Sequence, residues 1–330
     1  MTANPPTSAT SAAATNKQVL VLSYSQTGQL TNIVESLLAP MRADPRITIR
    51  VETLAPQPPF PFPWSLWRFL DAFPESAHLK PAPLAPLALT GDETFDLVIL
   101  PYQVWFLAPS QPITAFLQHP IAARLLRGKP VVTVIACRNM WLFAQEKTKV
   151  MLAGLGACLI DNVVFTDRAH TMATLLTTPL WMLTGKRRVV PGLPPAGIDA
   201  ADIAGAARFG RALREALGED RERAGRPLLS GLRAVEADPR LWLSERAATR
   251  SFLLWGILLR AAGVPGSWPR KPLLALYLVF LVTLVFTVVP ISLAIQFLIR
   301  PLLSERLARL KREFELPSGS GDERLSQYDR

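Results

Sequence analysis

The chain has 330 residues, of which 49% are hydrophobic and 19% charged, and its formal net charge is +10. This length allows one or two domains with a real core, and the apolar content is high for a soluble protein. Its two cysteines and three histidines show no metal-ligand spacing, which argues against a disulfide framework and a metal site. The basic residues crowd around an apolar segment in the C-terminal half, which favours lipid headgroups over nucleic acid as a partner.

The first 16 residues contain no charged side chain and lack the basic and apolar regions of a signal peptide. We expect them to be a disordered leader on a domain that faces the cytoplasm. From Lys17, apolar runs typical of buried strands alternate with segments of helical periodicity. The predicted strands are Gln18–Ser23, Ile47–Leu54, Phe95–Leu100, Val131–Ala136 and Cys158–Phe165, and the predicted helices are Leu30–Met41, Gln111–Leu126, Leu142–Leu155 and Asp199–Leu217.

This alternation predicts an α/β domain over residues 17–220 with a doubly wound, five-stranded parallel sheet. Two stretches exceed the minimal domain, an aromatic and proline-rich insertion at 55–80 and a second insertion at 168–198. Each is long enough to be a lid or a partner surface, or simply to cover the sheet or dip into a membrane. Residues 221–270 are expected to form a linker and membrane-proximal helices.

A run of 27 residues without a charge extends from Leu273 to Ile299. As a helix it is about 40 Å long, compared with roughly 30 Å for the hydrocarbon core of a bilayer. We therefore predict a membrane helix over 271–303, kinked at Pro290, with a re-entrant hairpin as the alternative. Charges on the two sides balance and give no orientation. Residues 304–330 are expected to hold a basic amphipathic helix and a tail.

The loop after the first strand has the composition of a phosphate-binding turn. It reads Ser25-Gln26-Thr27-Gly28-Gln29-Leu30-Thr31 and leads directly into a helix. Gly28 permits a tight turn, the hydroxyl groups supply hydrogen-bond donors, and a helix N-terminus attracts an anion. No lysine is present, so this is not a Walker loop. We predict that this loop binds a phosphate group.

The Ser-x-Thr-Gly segment resembles the phosphate loop of the flavodoxin family, although that family usually has threonine where this chain has Leu30. The resemblance implies FMN as the cofactor, with its ring between the loops after the third and fourth strands. In the first loop, Tyr102 or Trp105 would stack on the ring, and the backbone near Gln103, Val104 and Phe106 would reach the N5 edge. In the second, Arg138 or Asn139, with Met140 beside them, would bind the N1–C2=O edge.

Several segments together resemble a narrower group, the bacterial proteins known as dialkylresorcinol condensing enzymes of aryl-polyene and flexirubin-type pigment pathways. These segments are Gln26–Thr31, Pro58–Trp64, Asp71–Ser76, Tyr102–Phe106 and Cys137–Trp141. Carbon–carbon condensation needs an activated cysteine with histidine partners, and neither cysteine has a histidine nearby in sequence. The resemblance instead implies removal of two hydrogens from a dialkyl-cyclohexanedione, which gives an aromatic resorcinol.

The resulting hypothesis is an FMN-dependent oxidoreductase on the inner membrane that acts on a lipophilic substrate. Its expected partners are that substrate, membrane lipid and the enzymes of the pigment pathway. Two alternatives remain open, a membrane-tethered electron carrier and a flavin-free scaffold for pathway enzymes. The sequence does not identify catalytic residues; His170 with Asp167 is considered only as a proton relay, and an isolated loop histidine more often has no such role.

Overall fold

Five parallel strands form the centre of the protein in a computed structural model, which describes residues 16–287 and 304–328. The strands lie in the spatial order second, first, third, fourth, fifth, and a two-residue strand pairs antiparallel with the third. This is the flavodoxin-like order of a doubly wound sheet, with its topological switch point between the first and third strands. The strands are β1 (Lys17–Ser23), β2 (Ile47–Thr53), β3 (Leu97–Trp105), β4 (Ala108–Pro109), β5 (Pro130–Cys137) and β6 (Cys158–Thr166).

Helices cover both faces of the sheet. Consecutive residues Val19 to Leu22 of β1 are fully buried although their side chains alternate between the two faces. The covering helices are α1 (Gln29–Arg42), α2 (Leu66–Asp71), α3 (Phe73–Ala77), α4 (Gln111–Leu117), α5 (Pro120–Leu126), α6 (Leu142–Gly154), α7 (Thr171–Thr184), α8 (Ala200–Gly205) and α9 (Ala207–Gly218). The predicted sheet is therefore confirmed.

Two predicted helices are wrong in detail because each is divided in two. The segment predicted as one helix over 111–126 breaks at His119, whose ring accepts a hydrogen bond from the backbone N–H of Ile121 and caps α5. Pro120 follows and occupies the first position of α5, where its missing N–H costs nothing. The helix predicted over 199–217 breaks at Ala206 between α8 and α9.

A helical layer is attached beside the sheet domain. It consists of α10 (Leu241–Ala261) and α11 (Arg270–Phe286), which pack against α2 and α3. An aromatic cluster joins these helices, and the rings of Phe73 and Tyr277 stack with their centroids 4.3 Å apart. The insertion predicted at 55–80 thus holds the C-terminal helices on the domain.

The predicted membrane helix, 271–303, is described only in part, because residues 288–303 lie outside the described ranges. Its described part forms α11. Within residues 16–287 and 304–328, no helix has both the length and the apolarity that spanning a membrane requires. The expected leader also lies outside the described residues, apart from Asn16.

Beyond the described gap, the chain lies on the sheet domain again. The last helices are α12 (Ser304–Glu315) and α13 (Leu325–Tyr328). Phe314 of α12 and Tyr328 of α13 belong to the main hydrophobic core. The Ser318 hydroxyl donates to the buried carboxylate of Asp161 on β6 at 2.7 Å. The C-terminal segment is therefore an integral part of the folded domain.

Candidate functional site

A cavity of about 220 Å³ lies at the carboxyl ends of β1, β3 and β5, beside the topological switch point. Open α/β sheets bind ligands at this edge because their loops converge there. Four chain segments form its wall: the turn before α1, the loop after β3, the loop after β5, and the insertions. The lining residues from the predicted site are Gln26, Thr27, Gln29, Leu30, Gln103, Val104, Trp105, Phe106 and Arg138.

The turn between β1 and α1 has the features of an anion site. Gly28 has a φ of 82° and forms the N-cap of α1 without a capping side chain. The first N–H groups of a helix have no partner within the helix, so those of Gln29, Leu30 and Thr31 are free to donate. The N-terminal end of the helix dipole also favours a negative charge. Thr27 lines the cavity beside these donors.

The side chains of Gln26 and Gln29 hold the insertions over this turn. The Gln26 amide nitrogen donates to the carbonyl oxygen of Pro61 at 2.5 Å. The Gln29 side chain bonds both backbone groups of Ile198, each at 3.1 Å. A Cβ atom at Gly197 would lie 2.3 Å from the Gln29 amide oxygen, so this close approach requires glycine. Each glutamine therefore fastens one insertion to the start of α1.

The loop after β3 combines aromatic packing with backbone strain. The ring of Trp105 meets the edge of Phe60, with centroids 5.0 Å apart, and of Trp64, at 5.8 Å. The next residues, Phe106 and Leu107, have φ values of 50° and 59°, a left-handed region that side-chain-bearing residues rarely occupy. Such strain costs about 1–3 kcal/mol per residue and clusters at functional sites.

Arg138 supplies a positive charge to the cavity wall. Its guanidinium donates to the Thr174 hydroxyl at 3.3 Å and approaches the sulfur of Met140 at 3.5 Å. Among the described residues, no carboxylate oxygen lies within 4.0 Å of it. Burial lowers the pKa of Arg138 from its usual value. A partly buried cation without a carboxylate partner is suited to an anionic or electron-rich ligand.

Glu245 of α10 supports the loop that carries Arg138. Its fully buried carboxylate accepts hydrogen bonds from the backbone N–H groups of Leu142, at 3.3 Å, and Phe143, at 3.0 Å. These are the first residues of α6, so Glu245 caps that helix from a distant part of the chain. Burial raises the pKa of Glu245 to about 7, although the helix N–H groups and Arg138 oppose the shift.

Six predicted residues do not line the cavity. Tyr102 is fully buried, and its hydroxyl donates to Gln145 of α6 at 2.5 Å, so only Trp105 of the two proposed stacking residues lines the cavity. Thr31 is exposed on α1, whereas Leu30 is buried in the core. The other four lie in the lining loops but outside the cavity wall: Ser25, Gly28, Asn139 and Met140.

Sequence reasoning missed several residues of the wall. Trp64, Phe69 and Ala72 come from the first insertion, and Trp181 and Met182 come from α7 in the second. Asp167 also lines the cavity, and its two oxygens accept from the backbone N–H groups of Ala169, at 3.0 Å, and Gly197, at 2.8 Å. His170 instead caps α7 through its ring, so the pair forms no relay. Only the aromatic content of the insertions hinted at this wall.

The residues of the cavity fit FMN in their chemistry. Free N–H donors at α1 suit a phosphate group, the apolar and aromatic wall suits a flat ring, and Arg138 suits the edge of the ring that carries negative charge. The cavity volume is below the roughly 300–1,000 Å³ typical of small-molecule pockets. Binding a three-ring cofactor therefore requires part of the wall, such as the insertions, to move outward.

No protein-family model and no curated protein matches the chain. Among solved structures, a flavodoxin from the domain Archaea is similar at 10% identity and a TM-score of 0.34, over 61% of this chain and 98% of that chain. A flavoprotein in complex with FMN from Lactobacillus acidophilus NCFM shows 12% identity and a TM-score of 0.36, over 45% and 93% of the two chains. A putative flavoprotein from Bacteroides eggerthii DSM 20697 shows 17% identity and a TM-score of 0.32, over 45% of this chain and 88% of that chain. Because these TM-scores are low, the fold is assigned from the strand order of this chain alone.

Proposed function

We propose that the protein is an FMN-dependent oxidoreductase that acts on a lipophilic substrate at the inner membrane. One observation carries the proposal: a single cavity at the switch point of the sheet combines a helix N-terminus with free N–H donors, an unpaired arginine and an aromatic wall. A phosphate, a flat ring and a polar ring edge need these three features in this combination.

The turn before α1 is the proposed phosphate site. The backbone N–H groups of Gln29, Leu30 and Thr31 would donate to the phosphate, and the Thr27 hydroxyl would add a donor. Ser25 would act indirectly, because its hydroxyl accepts from the N–H of Gly28 at 3.1 Å and shapes the turn. The leucine at position 30 contributes only its backbone, since its side chain is buried in the core.

The other walls are the proposed ring site. Trp105 would contact the face of the ring, and Arg138 would hold the N1–C2=O edge and stabilise negative charge there. FMN held by these residues would supply an acceptor for a hydride, while the proton of the substrate would go to a base. The carboxylate of Asp167 lies in the cavity wall and already accepts two backbone hydrogen bonds.

The apolar wall favours a lipophilic substrate over the bare-edge exchange of an electron carrier. Trp64, Phe69 and Met182 enclose the cavity from the insertions, whereas a carrier needs an exposed flavin edge. Among lipophilic substrates, the resemblance to the dialkylresorcinol group favours a dialkyl-cyclohexanedione. In the proposed aromatisation this substrate would lose a hydride to FMN and a proton to a base. Enzymes of the same pigment pathway are then the proposed partners.

The visible spectrum of the full-length protein purified in detergent tests the cofactor. We expect oxidised flavin absorption from the wild type and its loss in Gly28→Glu, because a carboxylate at that turn repels a phosphate and a side chain there is strained. Gly128→Glu is the matched control, since Gly128 also has a positive φ with open space around it but lies outside the cavity. A wild-type protein that stays colourless with added FMN would overturn the proposal.

Anaerobic bleaching tests the substrate. We expect a dialkyl-cyclohexanedione to bleach the flavin of the wild type and to yield the corresponding resorcinol in equal amount. Bound flavin that no lipophilic dione or quinol bleaches would instead indicate the electron carrier.

A further inference from the structure

The attached helices α10 and α11, together with the connection between them, hold ten of the seventeen exposed large apolar residues of the described chain. On α10 the exposed residues Leu254, Ile257 and Leu258 follow helical spacing, and on α11 exposed apolar residues recur at similar intervals. The α11 set is Leu276, Val279, Val282 and Phe286. In the connection between the helices, the side chains of Val264 and Trp268 are 72% and 75% exposed. Exposed patches of this kind mark interaction surfaces.

The exposed charges of this layer are all positive. Between Leu241 and Thr287 the only acidic residue is Glu245, which is fully buried. Arg270 is also buried, so the exposed charges are those of Arg246, Arg250, Arg260 and Lys271. The acidic neighbours of this layer, Asp71 and Glu75, are paired with Arg270. The exposed charges of the layer are therefore positive, and its apolar surface is complementary to an anionic lipid surface.

The opposite side of the layer is fixed to the cavity. Phe106, which lines the cavity, also packs against Phe73 and Phe252, with ring centroids 5.8 and 6.0 Å away. The layer that carries the apolar surface is thus in contact with the site wall through the aromatic cluster. A lipophilic substrate that enters from this layer would meet the cavity wall at Phe106.

The two segments that flank residues 288–303, α11 before them and α12 after them, both pack on the same folded domain. Before the gap, α11 is held on α2 and α3 by Arg270, which lies 3.2 Å from Asp71 and 3.1 Å from Glu75. After the gap, Glu315 of α12 accepts from the backbone N–H of Ala237, and Ser318 bonds Asp161 of the sheet. A single crossing between residues 287 and 304 would put these two flanks on opposite sides of a bilayer.

We propose that the α10–α11 surface inserts into one leaflet of an anionic membrane, so that the protein is attached from one side and both flanks of the apolar segment remain on that side. This proposal deepens the proposed function, on which its substrate route rests, but attachment itself does not depend on flavin. Val264 and Trp268 enter the leaflet, and the four exposed basic side chains contact the headgroups.

Sedimentation of the full-length protein, transferred from detergent, with vesicles of phosphatidylcholine and phosphatidylglycerol tests the inserted residues. We expect Val264→Glu to weaken vesicle binding by about tenfold or more, because burial of the valine is lost and a carboxylate faces anionic lipid. Val150→Glu is the matched control, since Val150 of α6 is also 72% exposed but lies on the sheet domain. Equal effects of the two changes would overturn the proposal.

The dependence of vesicle binding on the basic side chains distinguishes a membrane from a protein partner. We expect Arg250→Ser with Lys271→Ser, two exposed side chains, to reduce binding to anionic vesicles by roughly tenfold or more and to leave the weaker binding to pure phosphatidylcholine unchanged. Wild-type protein that ignores both kinds of vesicle, but dissociates from dimer to monomer on Val264→Glu, would assign the surface to a second copy and overturn the proposal.

Protease accessibility in sealed inverted membrane vesicles tests the sidedness. We expect tags at the N-terminus and the C-terminus to be cleaved together from the outside; protection of one tag alone would overturn one-sided attachment. The flavin spectrum is recorded on the same samples. Vesicle binding without flavin would refute the proposed cofactor and leave attachment intact, and flavin without vesicle binding would refute attachment alone.

Discussion

Arg270 and Arg138 lie in two neighbouring regions and differ in whether carboxylates pair with their charges. Arg270 is fully buried where α11 meets α2 and α3, and it lies within 3.2 Å of the carboxylates of Asp71 and Glu75. Arg138 lies in the cavity wall, and its closest polar partner is the Thr174 hydroxyl at 3.3 Å. The first arginine is neutralised by ion pairs within its own chain, whereas the second forms no ion pair among the described residues.

This contrast distinguishes a cation that maintains the fold from one that serves a site. A buried charge is costly unless it is paired, and Arg138 has no ion-pair partner within residues 16–287 and 304–328, although the charges of Asp167 and Glu245 act on it from a longer distance. The aromatic cluster links the two regions through Phe106, so the layer that Arg270 holds in place also forms a wall of the cavity.

The largest expected effect follows from removing the paired arginine. Arg270→Met leaves Asp71 without its cation and Glu75 with only Arg260, at 4.0 Å, and we expect a loss of about 3 kcal/mol in the free energy of unfolding. Urea unfolding in detergent measures this loss. Arg42→Ala is the control, because Arg42 and Glu35 form an exposed pair whose removal costs about 1 kcal/mol at most. Similar losses in both variants would show that Arg270 does not hold the layer.

Glu245, which caps the helix after the Arg138 loop, makes the stability of the protein dependent on pH. Its pKa rises from 4.5 to about 7 in the folded protein, so the folded state binds its proton more tightly than the unfolded state. Its contribution to stability is therefore present below pH 4.5 and is lost as pH rises toward 7, by up to about 3 kcal/mol.

Glu245→Gln removes this dependence. We expect the wild type to lose stability relative to the variant between pH 5 and pH 8, as measured by urea midpoints at both values. The raised pKa of Asp161 is shared by both proteins and cancels in the comparison. A difference between the two proteins that stays constant with pH would mean that Glu245 is ionised throughout.

Removing Arg138 should weaken FMN binding much more than it changes the free energy of unfolding. We expect Arg138→Met to change the free energy of unfolding by about 1 kcal/mol at most, because Arg138 forms no ion pair among the described residues and its charge acts on Glu245 only from a longer distance. We expect it to weaken FMN binding by about 10- to 100-fold, the value of a hydrogen bond to a charged group. Flavin fluorescence titration measures the affinity, and an unchanged affinity would place the ring edge elsewhere.

A smaller effect should follow from the hydroxyl that positions Arg138. Thr174→Val removes the acceptor of the guanidinium, and we expect FMN binding to weaken by about two- to tenfold. Thr177→Val on the same helix is the matched control, since the Thr177 hydroxyl is buried without a partner. Equal changes in both variants would show that α7 acts on FMN only through its packing.

The strands and the turn before α1 were predictable because they depend on local patterns. Buried parallel strands need continuous apolar runs, and β1 and β5 begin and end within one residue of the predicted segments. The predicted third strand stops at Leu100, whereas β3 continues to Trp105 because Pro101, Tyr102 and Gln103 pair with β5. That extension depends on a partner strand about 30 residues away, which no local pattern encodes.

The sequence by itself determined the order of strands and helices, the phosphate-like turn and the two loops that follow β3 and β5, since each is written in consecutive residues. Only the tertiary structure decided that Tyr102 is buried while Trp105 lines the cavity, and that the insertions close it. It also separated the two arginines: Arg270, at the edge of an apolar run, looks exposed in sequence until Asp71 and Glu75, 195 or more residues away, neutralise it. Charge pairing acts through space, so the sequence supplies the charges but only the fold assigns their partners.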